Sequence, residues 1–334
     1  MMAVTTDVKQ IPQKGMSEKK FKTILTIMIL LIIAIFLLSY FLGRNLFKPL
    51  TQALSINPGP PTYIFSITGE GANGQLKKPM GVTVANETIY VTDTNNHRVQ
   101  VFDYDGNPVF SFGKGGSGEG QFQFPYGIAV DSNNLIYVAD MWANNIQVFT
   151  PEGKFIKYFA KKDVGKPTGL YIQAGKLYEA DLKSNSVKTF DIATEKKTLE
   201  IGKKGNANGQ FVAPNSVAVT SDKIYVGDSQ NDRLQAFSKD GKFLYVMDGS
   251  TDHQNPKTIT ARGVGVDGRG VVYGVSLLGN YVCGFDDKGQ YLWSFGGQGM
   301  NEDQFVLPNG LYADSQGRIY VTEQGNNRVS VWEN

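Results

Sequence analysis

Over residues 63–334 apolar and polar positions alternate in short runs, and the runs recur on one spacing. The clearest is Asp93-Thr-Asn-Asn-His-Arg-Val-Gln-Val-Phe102, a polar turn that enters an alternating strand and ends on an aromatic residue. Variants return at Asp140–Phe149, Asp181–Phe190, Asp228–Phe237, Ser276–Phe285 and Glu323–Trp332, with the two end residues nine positions apart each time. Alternation with a period of two predicts strands, and six returns of one spacing mark a repeat protein.

Each unit is 42 to 47 residues long. It opens with a Pro-x-Gly-type segment and an apolar strand, as in Pro79-Met-Gly-Val-Thr-Val or Pro125-Tyr-Gly-Ile-Ala-Val. A second strand such as Ile89-Tyr-Val-Thr follows, then the Asp turn and the third strand. A two-residue hairpin such as Asp105-Gly106 leads to a fourth strand, and a Gly-rich bridge runs to the next unit. Four antiparallel strands on a period near 45 predict a propeller blade. The last unit stops after its third strand, while an orphan strand, Tyr63-Ile-Phe-Ser-Ile, precedes the first. That strand is expected to complete the sixth blade and close the ring, which removes an open sheet edge. The fold class is therefore all-β, a six-bladed propeller of four-stranded antiparallel blades over 63–334.

A different pattern precedes it. Residues 23–43 carry no charge and are apolar on every helical face. At about 1.5 Å per residue such a segment spans roughly 30 Å, the thickness of a bilayer's hydrocarbon. It is longer than the roughly 7–15 apolar residues of a cleaved signal and lacks a small-residue cleavage site. One uncleaved transmembrane signal-anchor is expected. Five lysines precede it, so the tail 1–22 is placed in the cytoplasm and the propeller outside. Residues 44–62, with Asn-Pro-Gly-Pro-Pro, read as a short stiff linker.

Charge sharpens the picture. The net +2 divides into +4 on residues 1–44 and −2 on the rest, which argues against a nucleic-acid partner for the propeller. Cys283 is the single cysteine, so neither an intrachain disulfide nor a thiolate metal cage can form.

The repeat resembles the NHL family, whose naming motif is nearly reproduced by Asp93-Thr-Asn-Asn-His97-Arg98. The resemblance covers 63–334 and is weakest in the fifth unit, where Ser276-Leu-Leu-Gly-Asn lacks both the acid and the Arg. It implies a six-bladed propeller used mostly as a binding platform and sometimes built into enzymes.

The recurring Asp93, Arg98, Asp140, Asp181, Asp228, Arg233, Glu323 and Arg328 read as architecture, each acid bonding its own turn and pairing with a base where one follows. Residues that differ between units are the better binding candidates. The x positions, Met80, Tyr126, Thr168, Asn215, Arg262 and Asn309, are expected to ring the channel mouth. The turns add His97, Met141, Trp142, Leu277 and Leu278, the last four apolar where most sister turns are polar. Two readings fit these four: recognition anchors, or packing against a neighbouring blade. The glycine bridges lead to a strand rather than a helix N-terminus, which argues against a phosphate loop.

The function expected is a membrane-anchored platform for a protein, peptide or glycan at the extracytoplasmic face. The alternative is a metal-dependent lyase or hydrolase of the amidating-lyase or lactonase-like kind, with its active site at the mouth. Histidines number only two, His97 and His253, so no catalytic residue and no resident cofactor is expected. A structural divalent ion such as calcium, held by channel carbonyls, is compatible with the sequence.

Overall fold

The computed structural model describes residues 25–31, 34, 59–69, 74–248 and 260–334. The chain divides into two units, Met1–Pro58 and Gly59–Asn334. In the first, residues 25–31 and 34 are helical with exposed side chains. Among the described residues no helix is long and apolar enough to cross a membrane. The span expected over 23–43 lies largely outside the described residues, as do the tail 1–22 and most of the linker 44–62.

The second unit is a ring of six four-stranded antiparallel sheets. Alternating β-branched and aromatic residues make each strand, and polar or glycine-containing turns separate them. The first blade comprises Val82–Ala85, Thr88–Asp93, Arg98–Asp103 and Pro108–Phe112. The next four blades repeat that order. In the sixth, Pro308–Ala313, Arg318–Glu323 and Arg328–Glu333 are followed by the N-terminal strand Thr62–Ile67. Tyr63 pairs with Trp332 across that closure, and their rings meet edge-on at 5.7 Å.

The innermost strands face one another around the axis. Glycine makes that approach possible. A Cβ on Gly81 would lie 2.3 Å from the Tyr126 carbonyl, and one on Gly127 would lie 2.0 Å from the Thr168 carbonyl. The Gly of each Pro-x-Gly segment is thus set by contact between neighbouring blades rather than by a turn. Between blades lie six apolar clusters. Phe102, Phe149, Phe190, Phe237, Phe285 and Trp332, which close the repeated motif, are all buried in them. Cys283 belongs to the same core. The degenerate fifth unit still forms a full blade, because Ala261–Val266, Val272–Ser276, Tyr281–Phe285 and Tyr291–Gly296 keep the alternation.

Candidate functional site at the channel mouth

The motif acids are consumed by the fold. Asp93 is fully buried and accepts from Lys77 N at 2.7 Å, Asn96 Nδ2 at 2.8 Å, Arg98 Nε at 2.7 Å and Gln100 Nε2 at 3.0 Å. Asp228 repeats this with Val212 N, Asn231, Arg233 and Gln235. Asp140 takes three backbone N–H groups, from Gln123, Phe124 and Ala143. Asp181 takes Lys166 N, Lys183 N, Ser184 and Lys188 Nζ. Glu323 binds Asn326 and Arg328, and burial raises its carboxyl against the opposing pull of Arg328. The arginines also reach the Gly-rich bridges: Arg98 Nη2 donates to Gly74 O, Arg233 Nη2 to Ala207 O and Arg328 Nη2 to Gln304 O. Each clasp therefore ties a turn to the bridge beside it. Gln100, Gln147 and Gln235 take part as well. Their recurrence seven residues after the acid was visible in the sequence, but alternation alone marked them as ordinary strand positions.

The x residues behave differently from an open ring. Met80, Tyr126, Thr168, Asn215 and Asn309 are buried, and Arg262 is half-buried. Thr168 turns away into the blade interface, where its hydroxyl donates to Ala180 O and Pro214 O. The others join in one polar network. Arg262 Nη1 donates to Asn215 Oδ1 at 3.1 Å, and the Tyr126 hydroxyl donates to the same oxygen at 3.0 Å. Asn309 Nδ2 donates to the Tyr126 oxygen at 3.2 Å and to the Met80 carbonyl at 3.2 Å. Asn215 is itself fixed through Ala213 O and Ser229 Oγ, both at 2.9 Å. Tyr126 crosses from the second blade to the fourth and sixth, so one long side chain draws the network across the axis. Beneath it the channel holds a cavity of about 100 Å³. Tyr171 and Tyr312 line it too, and burial raises both phenols.

Around the mouth, Trp142 and Leu278 are 55% and 70% exposed, whereas Met141 and Leu277 are half-buried. Both turns are tied to the strand connections beside them, Met141 N to Phe124 O and Leu277 N to Thr260 O. They belong to blades two and five, opposite one another in the ring. Trp142 stacks on Phe124 at 4.6 Å, and Phe124 on Tyr126 at 6.3 Å. Phe124 is half-buried, and nothing in the repeat pattern set it apart from other bridge aromatics. His97 closes its turn in a left-handed conformation and its buried Nδ1 has no partner. Among the described residues no three His, Cys, Asp or Glu side chains converge to hold a metal ion.

Comparison with known proteins agrees with this architecture. A family model described as a 6-bladed beta-propeller matches residues 73–204, and the NHL repeat model matches residues 305–332. An NHL repeat thus lies in the sixth blade of a six-bladed propeller. It is 34% identical to the Drosophila melanogaster protein brain tumor over 122 residues, 35% of this chain and 12% of that protein. It is 26% identical to the probable peptidyl-alpha-hydroxyglycine alpha-amidating lyase pgal-1 of Caenorhabditis elegans, covering 54% of this chain and 51% of the lyase. The chain spans about half, or less, of the length of these relatives. The virginiamycin B lyase of Staphylococcus aureus, solved as an inactive variant with quinupristin, superposes with a TM-score of 0.55 at 16% identity. That match covers 81% of this chain and 83% of the lyase, and is a likeness of fold.

Proposed function

We propose that the propeller is a binding platform that recognises a protein partner through the face carrying the channel mouth. The observation that carries this is Trp142, a largely exposed indole held in place by stacking on Phe124. Large aromatic side chains supply much of the energy at interfaces, and an anchor ordered in advance loses little entropy on docking. Leu278 offers a second exposed apolar contact across the mouth. The lysine-rich segment before residues 23–43 supports anchoring in a membrane with this face outside the cytoplasm.

A lyase-like activity is the second reading. It is favoured by the similarity to the amidating lyase and by a Tyr and an Arg meeting at the mouth through Asn215.

The test is capture from solubilised membranes with the full chain and with Trp142→Ala/Leu278→Ala. The wild type should retain a partner that the folded variant loses. Equal capture by both, or no specific partner, sinks the platform reading. Turnover of peptidyl-α-hydroxyglycine by the purified chain would then favour the second.

A further inference from the structure

The x positions of the six blades are uncharged except in the fifth, where Arg262 places a guanidinium at the mouth of the channel. Its surroundings differ from those of the other described arginines. Arg98, Arg233, Arg269 and Arg328 are each paired with a carboxylate, and Arg318 lies 4.0 Å over the Tyr104 ring. Among the described residues no carboxylate lies within ion-pair distance of Arg262. Its Nη1 has the neutral Asn215 Oδ1, and its Nε is buried without a partner. Asn215 Oδ1 already accepts from Tyr126, so it cannot compensate a full charge. Withdrawing a cation from water and leaving one of its N–H groups unpaired is unfavourable, and an anion entering the mouth would relieve both costs.

We infer that the channel mouth is a carboxylate-binding site anchored by Arg262. The chemistry selects the anion. One cation with a planar fork suits a planar monoanion, whereas a phosphate dianion calls for more positive charge than the mouth offers. The cavity of about 100 Å³ holds a small group and not a whole ligand, for which roughly 300–1,000 Å³ is usual. The source follows from the platform reading, on which this part of the inference rests: an acidic side chain or chain terminus of the docked partner. A free small acid offers the same chemistry. The neighbouring groups are ready for either, since Asn215 is fixed by Ala213 and Ser229, and Tyr126 by Asn309.

The experiment follows the melting temperature of the purified full chain in detergent as sodium acetate is added, against sodium chloride at equal ionic strength. Acetamide and inorganic phosphate are run in parallel. Acetate should give a saturable rise, acetamide none, and phosphate less than acetate. Arg262→Gln should abolish the rise, and Arg262→Lys should weaken half-saturation by roughly tenfold because the fork is lost while the charge stays. The lysine variant keeps the test decisive should the glutamine variant fold poorly. No saturable rise, an equal rise with acetamide, a larger Arg262-dependent rise with phosphate, or an unchanged rise in both variants overturns the inference. Partner capture separates the sources. A loss of capture in Arg262→Gln with Trp142 intact assigns the carboxylate to the partner. Unchanged capture with a lost acetate response assigns it to a free small acid. Should capture never depend on Trp142 while the acetate response persists, the platform reading fails and the carboxylate site stands.

Discussion

Glu179 and Lys188 stand opposite each other on adjacent strands of the third blade, at the register where the first, second and fourth blades set valine against glutamine. Those pairs are Val91 with Gln100, Val138 with Gln147, and Val226 with Gln235. Glu179 is fully buried and neither carboxylate oxygen has a hydrogen-bond partner. Lys188 Nζ is turned to Asp181 and to the Asp163 carbonyl, replacing the glutamine of its sisters in their clasps.

Burial therefore pushes the Glu179 carboxyl up to about 8, against the pull of Lys188 and with the push of Asp181. The folded chain keeps a proton that the unfolded chain releases near its ordinary value of 4.5. Stability should then fall as pH rises from about 4.5 to about 8 and level off above, since the folded state binds more protons within that window. Glu179→Gln removes this dependence. In urea unfolding the variant should gain on the wild type by roughly 3–4 kcal/mol between pH 5 and pH 8. A gap that does not change with pH would mean that Glu179 is ionised in the fold.

The Asp228 clasp makes a second prediction. Its carboxylate binds Arg233 Nε at 2.9 Å and three further donors, and it is fully buried. Asp228→Ala takes the acceptor from Arg233 Nε and the Val212 N–H and the counter-charge from the Arg233 guanidinium, and should cost about 3–5 kcal/mol in urea unfolding. Asp228→Ala/Arg233→Ala should cost less than the two single changes added together, because the double change removes the stranded charge as well. Strict additivity would show that the pair contributes little beyond the backbone bonds.

The architecture was legible in the sequence because a blade is one period of the chain and closure is visible as an orphan strand. Tyr63 and Trp332 meet as the arithmetic of the repeats requires. Orientation was harder. Thr168 and Asn215 hold the same place in their units, yet the first turns into a blade interface and the second to the axis. Spacing fixes where a residue sits, while its direction depends on side-chain length and on what the next blade presents. Phe124 shows a similar limit, since its stacking partner Trp142 lies in another segment of the blade. Glu179 is a charge where four sister strands carry valine, but a residue outside the recurring pattern carries no spacing signal of its own.

The blade contacts themselves can be probed by one atom. Gly127 and Gly310 sit where a Cβ would lie 2.0 Å from the Thr168 carbonyl and 2.2 Å from the Met80 carbonyl. Backbone cannot retreat there without moving a whole blade, so Gly127→Ala or Gly310→Ala should lower stability by about 2–3 kcal/mol. The fourth blade carries Ser216 at the same place and survives by a compensation across the strand pair. Ser216 faces Gly227, where a Cβ would come within 2.7 Å of the Ser216 hydroxyl. Sister blades have Thr92, Ala139, Ala180, Val275 and Thr322 at the Gly227 position. The Ser216 hydroxyl is buried and makes no hydrogen bond. Ser216→Ala should therefore be neutral or stabilising by up to about 1 kcal/mol, since it removes an unsatisfied polar group. Thermal melts of the three variants decide it: a fall for both glycine changes and none for Ser216→Ala is expected. A fall for Ser216→Ala as large as that of the glycine changes would show that the Ser216 hydroxyl has a hydrogen-bond partner in the fold, because this change removes an atom and can only relieve contact.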